Sequence, residues 1–274
     1  VRISPDGVFI LCHFQPGLHS LNTRTLQLKH LLQTKPRVIR DYAFHPNGAW
    51  VVLGKQAKTT VSLLEFASGL EYSVEPTHED WVNAVRFSPD GRFLVSTSDD
   101  RCALVWDTAP LLTPPAAATS IAPVLSLLHR LNLPQGGTGL AFSSDSTLLA
   151  VFCCDASVVL FSVPAFTYVC SFLVAPRSHG DRLSGVFCPG SYILSTVCDV
   201  DEQVHVYDCS SIDLTASTAT AGATTATVTI PQLLYTLPFF DEFGLPATRS
   251  QSRGYTSVAF TPDGGLLVAT QYTG

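Results

Sequence analysis

Methionine is absent from all 274 residues, and the chain opens on Val1 in the middle of a strand-and-turn pattern. We therefore expect a segment of a longer chain, for which the absence of a leader carries no information. No apolar run approaches the roughly 18–20 residues of a membrane span, so no membrane insertion is expected. Basic residues are few. Sixteen Lys and Arg stand against 22 acids, giving a net charge of −6 with no basic cluster, which argues against direct nucleic-acid binding. Charge is scarce overall, at 14 % against 46 % hydrophobic residues, as in a globular chain. There is no C-x-x-C pair and no Cys/His spacing typical of zinc. The cysteines (Cys12, Cys102, Cys153, Cys154, Cys170, Cys188, Cys198 and Cys209) fall mostly in apolar runs, where a free thiol behaves as a small hydrophobe. This predicts a cytoplasmic or nuclear protein with reduced thiols; redox sensing by the vicinal Cys153–Cys154 pair is the alternative. G-x-S-x-G, P-loop, G-x-G-x-x-G and H-E-x-x-H motifs are all missing, so no catalytic residue, cofactor or metal is expected. Asp199, Asp201 and Glu202 supply too few oxygen ligands for a calcium loop and read as a solvated turn.

What is present is a pattern of short strands, and it is clearest from His78 to Asp107. Val82 to Phe87 alternates with period two, as a half-buried strand does. Ser88-Pro89-Asp90-Gly91 is a tight turn, because Pro presets φ and Gly accepts a positive one. Phe93 to Thr97 is a second strand, Ser98 to Arg101 a second turn, and Ala103 to Trp106 a third strand.

The His at the start, the Ser-Asp-Asp turn and the closing Trp106-Asp107 make this stretch resemble one repeat of the WD-repeat β-propeller family. The resemblance implies an all-β propeller of four-stranded antiparallel blades. It also implies a buried hydrogen-bonded tetrad of His78, Ser96, Asp100 and Trp106, consistent with the need of a buried imidazole and indole N–H for partners. A Ser–His–Asp catalytic triad is the competing reading of the first three.

Degenerate copies of the same pattern recur. From the residue before the first turn to the Trp106 position is 19 residues here, and 18, 20, 19 and 20 for Ile3–Leu21, Phe44–Leu64, Phe142–Phe161 and Phe187–Tyr207. A sixth copy begins at Tyr255 and is cut short, and the first lacks the start of its inner strand. Only the third has the full tetrad, though His179 could stand for His78 in the fifth. Residues 1–274 are thus expected to form one WD-repeat-like domain, seven-bladed in the full protein, with incomplete blades at both ends. Insertions at 109–123 and 210–229 lie between third and fourth strands. Both read as exposed excursions, since small polar residues without periodicity cannot offset their ordering entropy; the second is Ser/Thr/Ala-rich and open to phosphorylation. Phe239-Phe240-Asp241-Glu242-Phe243 is either a docking surface or a segment folded back on its own domain.

Two functional classes remain. The resemblance implies a non-enzymatic scaffold, a subunit of a larger intracellular assembly whose partners are other proteins or peptide motifs. Trp81, Asn83 and Asp99 sit at positions near the rim of such repeats and are the candidate contacts, a large aromatic beside a donor and an acid. The alternative for Trp81 is packing on the neighbouring blade. The alternative for the whole is a propeller enzyme of lactonase-like hydrolase type, which needs converging polar groups on the inner strands. Those strands offer Arg40, Asp41, Arg86, Asp181, Arg182 and Arg253, without a clear acid–base pair.

Overall fold

A computed structural model describes residues 1–14, 17–33, 38–55, 59–112, 122–175, 183–198, 203–212, 230–237 and 255–271. Apart from a single turn of 3-10 helix, every regular element among them is a strand. No helix among the described residues is long and apolar enough to cross a membrane. The chain divides into two compact units, residues 1–132 and 133–274.

The first unit holds three four-stranded antiparallel sheets, each laid down in chain order. The first sheet is β1 (Arg2–Ile3), β2 (Phe9–Phe14), β3 (Gly17–Asn22) and β4 (Leu28–Gln33). The second is β5 (Ile39–Phe44), β6 (Trp50–Lys55), β7 (Val61–Glu65) and β8 (Glu71–Val74). The third is β9 (Val82–Phe87), β10 (Phe93–Ser98), β11 (Cys102–Asp107) and β12 (Ser126–Asn132). The second unit holds a fourth sheet, β13 (Gly137–Phe142), β14 (Leu148–Cys153), β15 (Ser157–Ser162) and β16 (Thr167–Leu173). Its fifth sheet is β17 (Leu183–Phe187), β18 (Ile193–Cys198), β19 (Gln203–Asp208) and β20 (Gln232–Leu237), and β21 (Tyr255–Phe260) pairs with β22 (Leu267–Gln271). These are the blade-like antiparallel sheets of the expected all-β class. The first sheet has four strands, of which the first is only two residues long, in keeping with a copy that lacks the start of its inner strand.

The repeat spacing has a simple physical origin. Ile3, Phe44, Phe87, Phe142, Phe187 and Phe260 each pair with the residue seven places on, namely Ile10, Val51, Leu94, Leu149, Leu194 and Leu267. The first five of those partners in turn face Leu21, Leu64, Trp106, Phe161 and Tyr207 on the third strand. The first hairpin is therefore constant, and the one-residue scatter around 19 arises in the second turn. The constancy comes from the turn chemistry. Ser4 Oγ donates to Asp6 Oδ1 at 2.5 Å and accepts from the Phe9 N–H at 2.8 Å. Ser88 repeats this with Asp90 at 2.5 Å and Phe93 at 3.0 Å. Gly7 and Gly91 close these turns at φ +70° and +73°, in the left-handed region that favours glycine.

One core in the first unit links the second and third sheets through Trp50, Val52, Leu63, Val85, Leu94, Leu104 and Trp106. A separate core in the second unit links the fourth and fifth sheets through Phe152, Leu160, Leu183, Leu194 and Tyr207. Strands β10 and β14 are buried at every residue, because their sheets are covered on both faces rather than on one. The 109–123 insertion does lie between third and fourth strands, but it does not begin as an exposed excursion. Ala109–Leu111 forms the 3-10 turn, Leu111 is fully buried, and its carbonyl accepts from Asn47 Nδ2 at 2.8 Å. An apolar Leu four residues beyond a strand is close enough to pack into the core beneath it, and Ile212 does the same four residues after β19. Residues 113–121 and 213–229, the Phe239–Phe243 segment, His179 and the Asp199, Asp201 and Glu202 group lie outside the described residues.

Candidate functional site

The third sheet and the loop before it carry most of the polar chemistry of the first unit. His78 lies between β8 and β9, Ser96 on β10 and Asp100 in the turn from β10 to β11. The imidazole joins the other two: Nδ1 is 2.7 Å from Asp100 Oδ2 and Nε2 is 2.7 Å from Ser96 Oγ. Asp100 also accepts the backbone N–H groups of Glu79 at 3.0 Å and Cys102 at 2.9 Å. Burial opposes the charge on Asp100, but the Glu79 N–H and His78 bonds outweigh it and hold the carboxyl below its ordinary pKa. Burial lowers the His78 pKa, with Asp100 opposing it. The consistent state is a neutral imidazole, Nδ1–H donating to the carboxylate and Nε2 accepting from the Ser96 hydroxyl.

Trp106 does not join this chain. Its indole N–H donates to the Glu75 carbonyl oxygen at 3.2 Å rather than to the Ser96 hydroxyl, which bonds His78 Nε2. The side chain is fully buried against the second and third sheets, and the loop before β9 places a backbone acceptor beside it. The expected tetrad is thus a buried triple plus a separately anchored indole.

A Ser, a His and an Asp joined by two 2.7 Å contacts have the connectivity of a nucleophile, base and orienting acid. Access decides against that use. Ser96 is 0 % and His78 3 % exposed, so a substrate carbonyl cannot reach the hydroxyl in this arrangement.

The three candidate contacts come together on the surface. Trp81 is 43 % exposed. Asn83 Nδ2 donates to Asp99 Oδ1 at 2.6 Å, and the Asp99 N–H donates to the Trp81 carbonyl at 3.1 Å. One face of the indole is covered from the second sheet, where the Arg40 guanidinium carbon lies 5.0 Å from the ring centroid. Trp81 therefore both packs on the neighbouring sheet and presents area to solvent, held by residues from two sheets and one turn.

The inner strands hold an arrangement that sequence reasoning missed. Asp41 on β5 receives Arg2 of β1 at 3.0 Å through Oδ1, and Arg86 of β9 through Oδ2. The Val85 N–H also donates to Oδ2 at 3.2 Å, and Arg2 Nε donates to the Tyr42 carbonyl at 3.1 Å. The pairs lie 39 and 45 residues apart in sequence. Although Arg2 and Arg86 share the position just before Ile3 and Phe87, Asp41 sits two places earlier on its own strand, so the repeat pattern did not signal the cluster. Asp181, Arg182 and Arg253 lie outside the described residues. Among the described residues no group of His, Cys, Asp or Glu is placed to hold a metal ion. All eight cysteines are free thiols, and burial pushes Cys153 up to about 12, which makes it a poor redox nucleophile.

Residues 71–107 match the family model described as WD domain, G-beta repeat. That match takes in β8 with β9 to β11, so one sequence repeat spans the last strand of one sheet and three strands of the next. The chain is 30 % identical over 164 residues to Protein HIR1 of Yarrowia lipolytica, an alignment covering 57 % of this chain and 14 % of that protein. It is 31 % identical over 153 residues to apoptotic protease-activating factor 1 of Danio rerio, covering 50 % of this chain and 12 % of the relative. With WD repeat-containing protein SL1-17 of Schistosoma mansoni it shares 29 % over 108 residues, 39 % of this chain and 35 % of that one. The chain thus spans only a minor part of the length of these relatives.

Proposed function

We propose that this WD-repeat chain of blade-like sheets is a non-enzymatic interaction scaffold, a subunit of a larger intracellular assembly. Proteins of the WD-repeat family are in general scaffolds that bind other proteins. The observation that carries the reading for this chain is the Trp81 surface. A large aromatic is held rigid by Arg40 and flanked by the bonded Asn83–Asp99 pair, so little side-chain entropy remains to be lost when a partner covers it. The His78–Ser96–Asp100 constellation, which has nucleophile-like connectivity, is buried in the third sheet and serves as scaffolding. In this reading residues 1–274 act as one WD-repeat-like domain whose partners are proteins or peptide motifs. The free, mostly buried thiols favour a reducing compartment, cytoplasm or nucleus.

The test is site-specific photo-crosslinking. A photoreactive phenylalanine analogue placed at position 81 of the full-length protein, in its native cells, should capture a discrete partner. The same analogue at the exposed Leu26 should not. No product at position 81 above that background would overturn the assignment of the surface.

A further inference from the structure

We propose that Arg2 and Arg86 form a second docking site, which takes an acidic side chain of an extended protein segment. Both guanidiniums converge on Asp41, which leaves two cations to one carboxylate at a single point. Their exposure is unequal. The Arg2 and Arg86 side chains are 39 % and 29 % exposed against 15 % for Asp41, so the acid lies beneath and the cations face outward. The proximity of Arg86, followed by burial, lowers the pKa of Arg2 in spite of Asp41, the mark of cations that a further anion would relieve.

The two arginines line an open depression of about 400 Å³. Its rim is threefold repetitive: Pro5, Pro46 and Pro89, the second residues of three successive first turns, with Phe44 and Phe87 from the strands leading into two of them. Rigid prolines and aromatic edges suit an extended segment, and guanidinium forks suit a carboxylate. Two acids follow rim prolines in sequence, and their carboxylates are bonded within their own turns. Asp6 accepts from Ser4 Oγ and the Val8 N–H, and Asp90 from Ser88 Oγ and the Arg92 N–H. The surplus cation is local in a chain whose net charge is −6, so attraction of an acidic probe has to come from such a point rather than from the molecule as a whole. The site is independent of the Trp81 surface. Trp81 precedes the start of β9 and Arg86 lies near its end, five residues on, or about 16 Å along a strand at roughly 3.3 Å per residue.

The experiment is fluorescence anisotropy of labelled octaglutamate, with octaglutamine and octauridylate as comparison probes, on the full chain at low and moderate salt. Octaglutamate should bind, weaken with salt, and outcompete both other probes. Arg86→Gln and Arg2→Gln should each weaken it about tenfold, while Lys29→Gln leaves it unchanged. Because removing an arginine could disturb the first strands, Asp41→Asn supplies a variant of opposite sign: it keeps both cations, removes their counter-charge and should tighten binding. A folded Asp41→Asn protein with weaker or unchanged affinity would overturn the proposal. So would octaglutamate binding no better than octaglutamine, or octauridylate binding in its place.

Discussion

On β10, Ser96 sits two places beyond Leu94 and bonds His78; on β18, Thr196 sits two places beyond Leu194, in the same register, and its buried Oγ1 has no partner among the described residues. The position facing Leu94 across the third sheet is Trp106, and the one facing Leu194 across the fifth is Tyr207, 5 % exposed. Both sheets nevertheless form four strands around a closed apolar core. The polar chain of the third sheet is therefore an addition to a blade that apolar packing already specifies. It ties the loop before β9 to β10 and the following turn, and so fixes the segment from which Trp81 projects.

That contrast can be broken in several places. The largest effect is expected at Trp106→Ala, which empties a fully buried site and should cost about 3–5 kcal/mol, read as a lower denaturant midpoint. An unchanged midpoint would mean that the third sheet does not depend on its indole. Next comes Ser96→Ala, which strands His78 Nε2 without a donor and should cost about 1–3 kcal/mol. Thr196→Val at the matching site removes a hydroxyl with no partner among the described residues, and should be neutral or stabilising by up to about 1 kcal/mol. Equal losses at the two sites would abolish the distinction between the sheets.

A pH titration sharpens the same comparison. The folded pKa of His78 lies below its ordinary value of 6.5, so its neutral form is the one folding favours. Its contribution is complete above pH 6.5 and is lost as the pH falls below that value. The folded pKa of Asp100 lies below 3.8, so its contribution persists above that value and is lost only in stronger acid. Wild type should therefore lose melting temperature between pH 7 and 5, and His78→Gln should show a shallower slope over that range. A remainder from His19 and His13, whose pKa values burial also lowers, should survive in the variant.

The sequence made the sheets legible because each first turn is local chemistry. Ser88, Pro89, Asp90 and Gly91 specify the hairpin among themselves, and the seven-residue offset follows. The His78–Asp100 and His78–Ser96 contacts were legible only through the family resemblance. The Trp106 acceptor was not, since the Glu75 carbonyl is backbone and carries no side-chain signal. Nor was the Arg2–Asp41–Arg86 cluster, which exists only because three first strands come together. Leu111 was hidden by its neighbours, as one buried leucine in a Pro/Ala-rich run resembles loop composition.

The most direct test of the scaffold account is a paired measurement on full-length wild type and Trp81→Ala: melting temperature, and quantitative mass spectrometry of the proteins that co-purify at moderate salt. The account predicts a melting temperature lowered far less than by Trp106→Ala, because Trp81 is 43 % exposed and only partly packed under Arg40, together with loss of a subunit that is stoichiometric in wild type. An unchanged set of subunits, or a melting temperature lowered to the extent expected for Trp106→Ala, would contradict it.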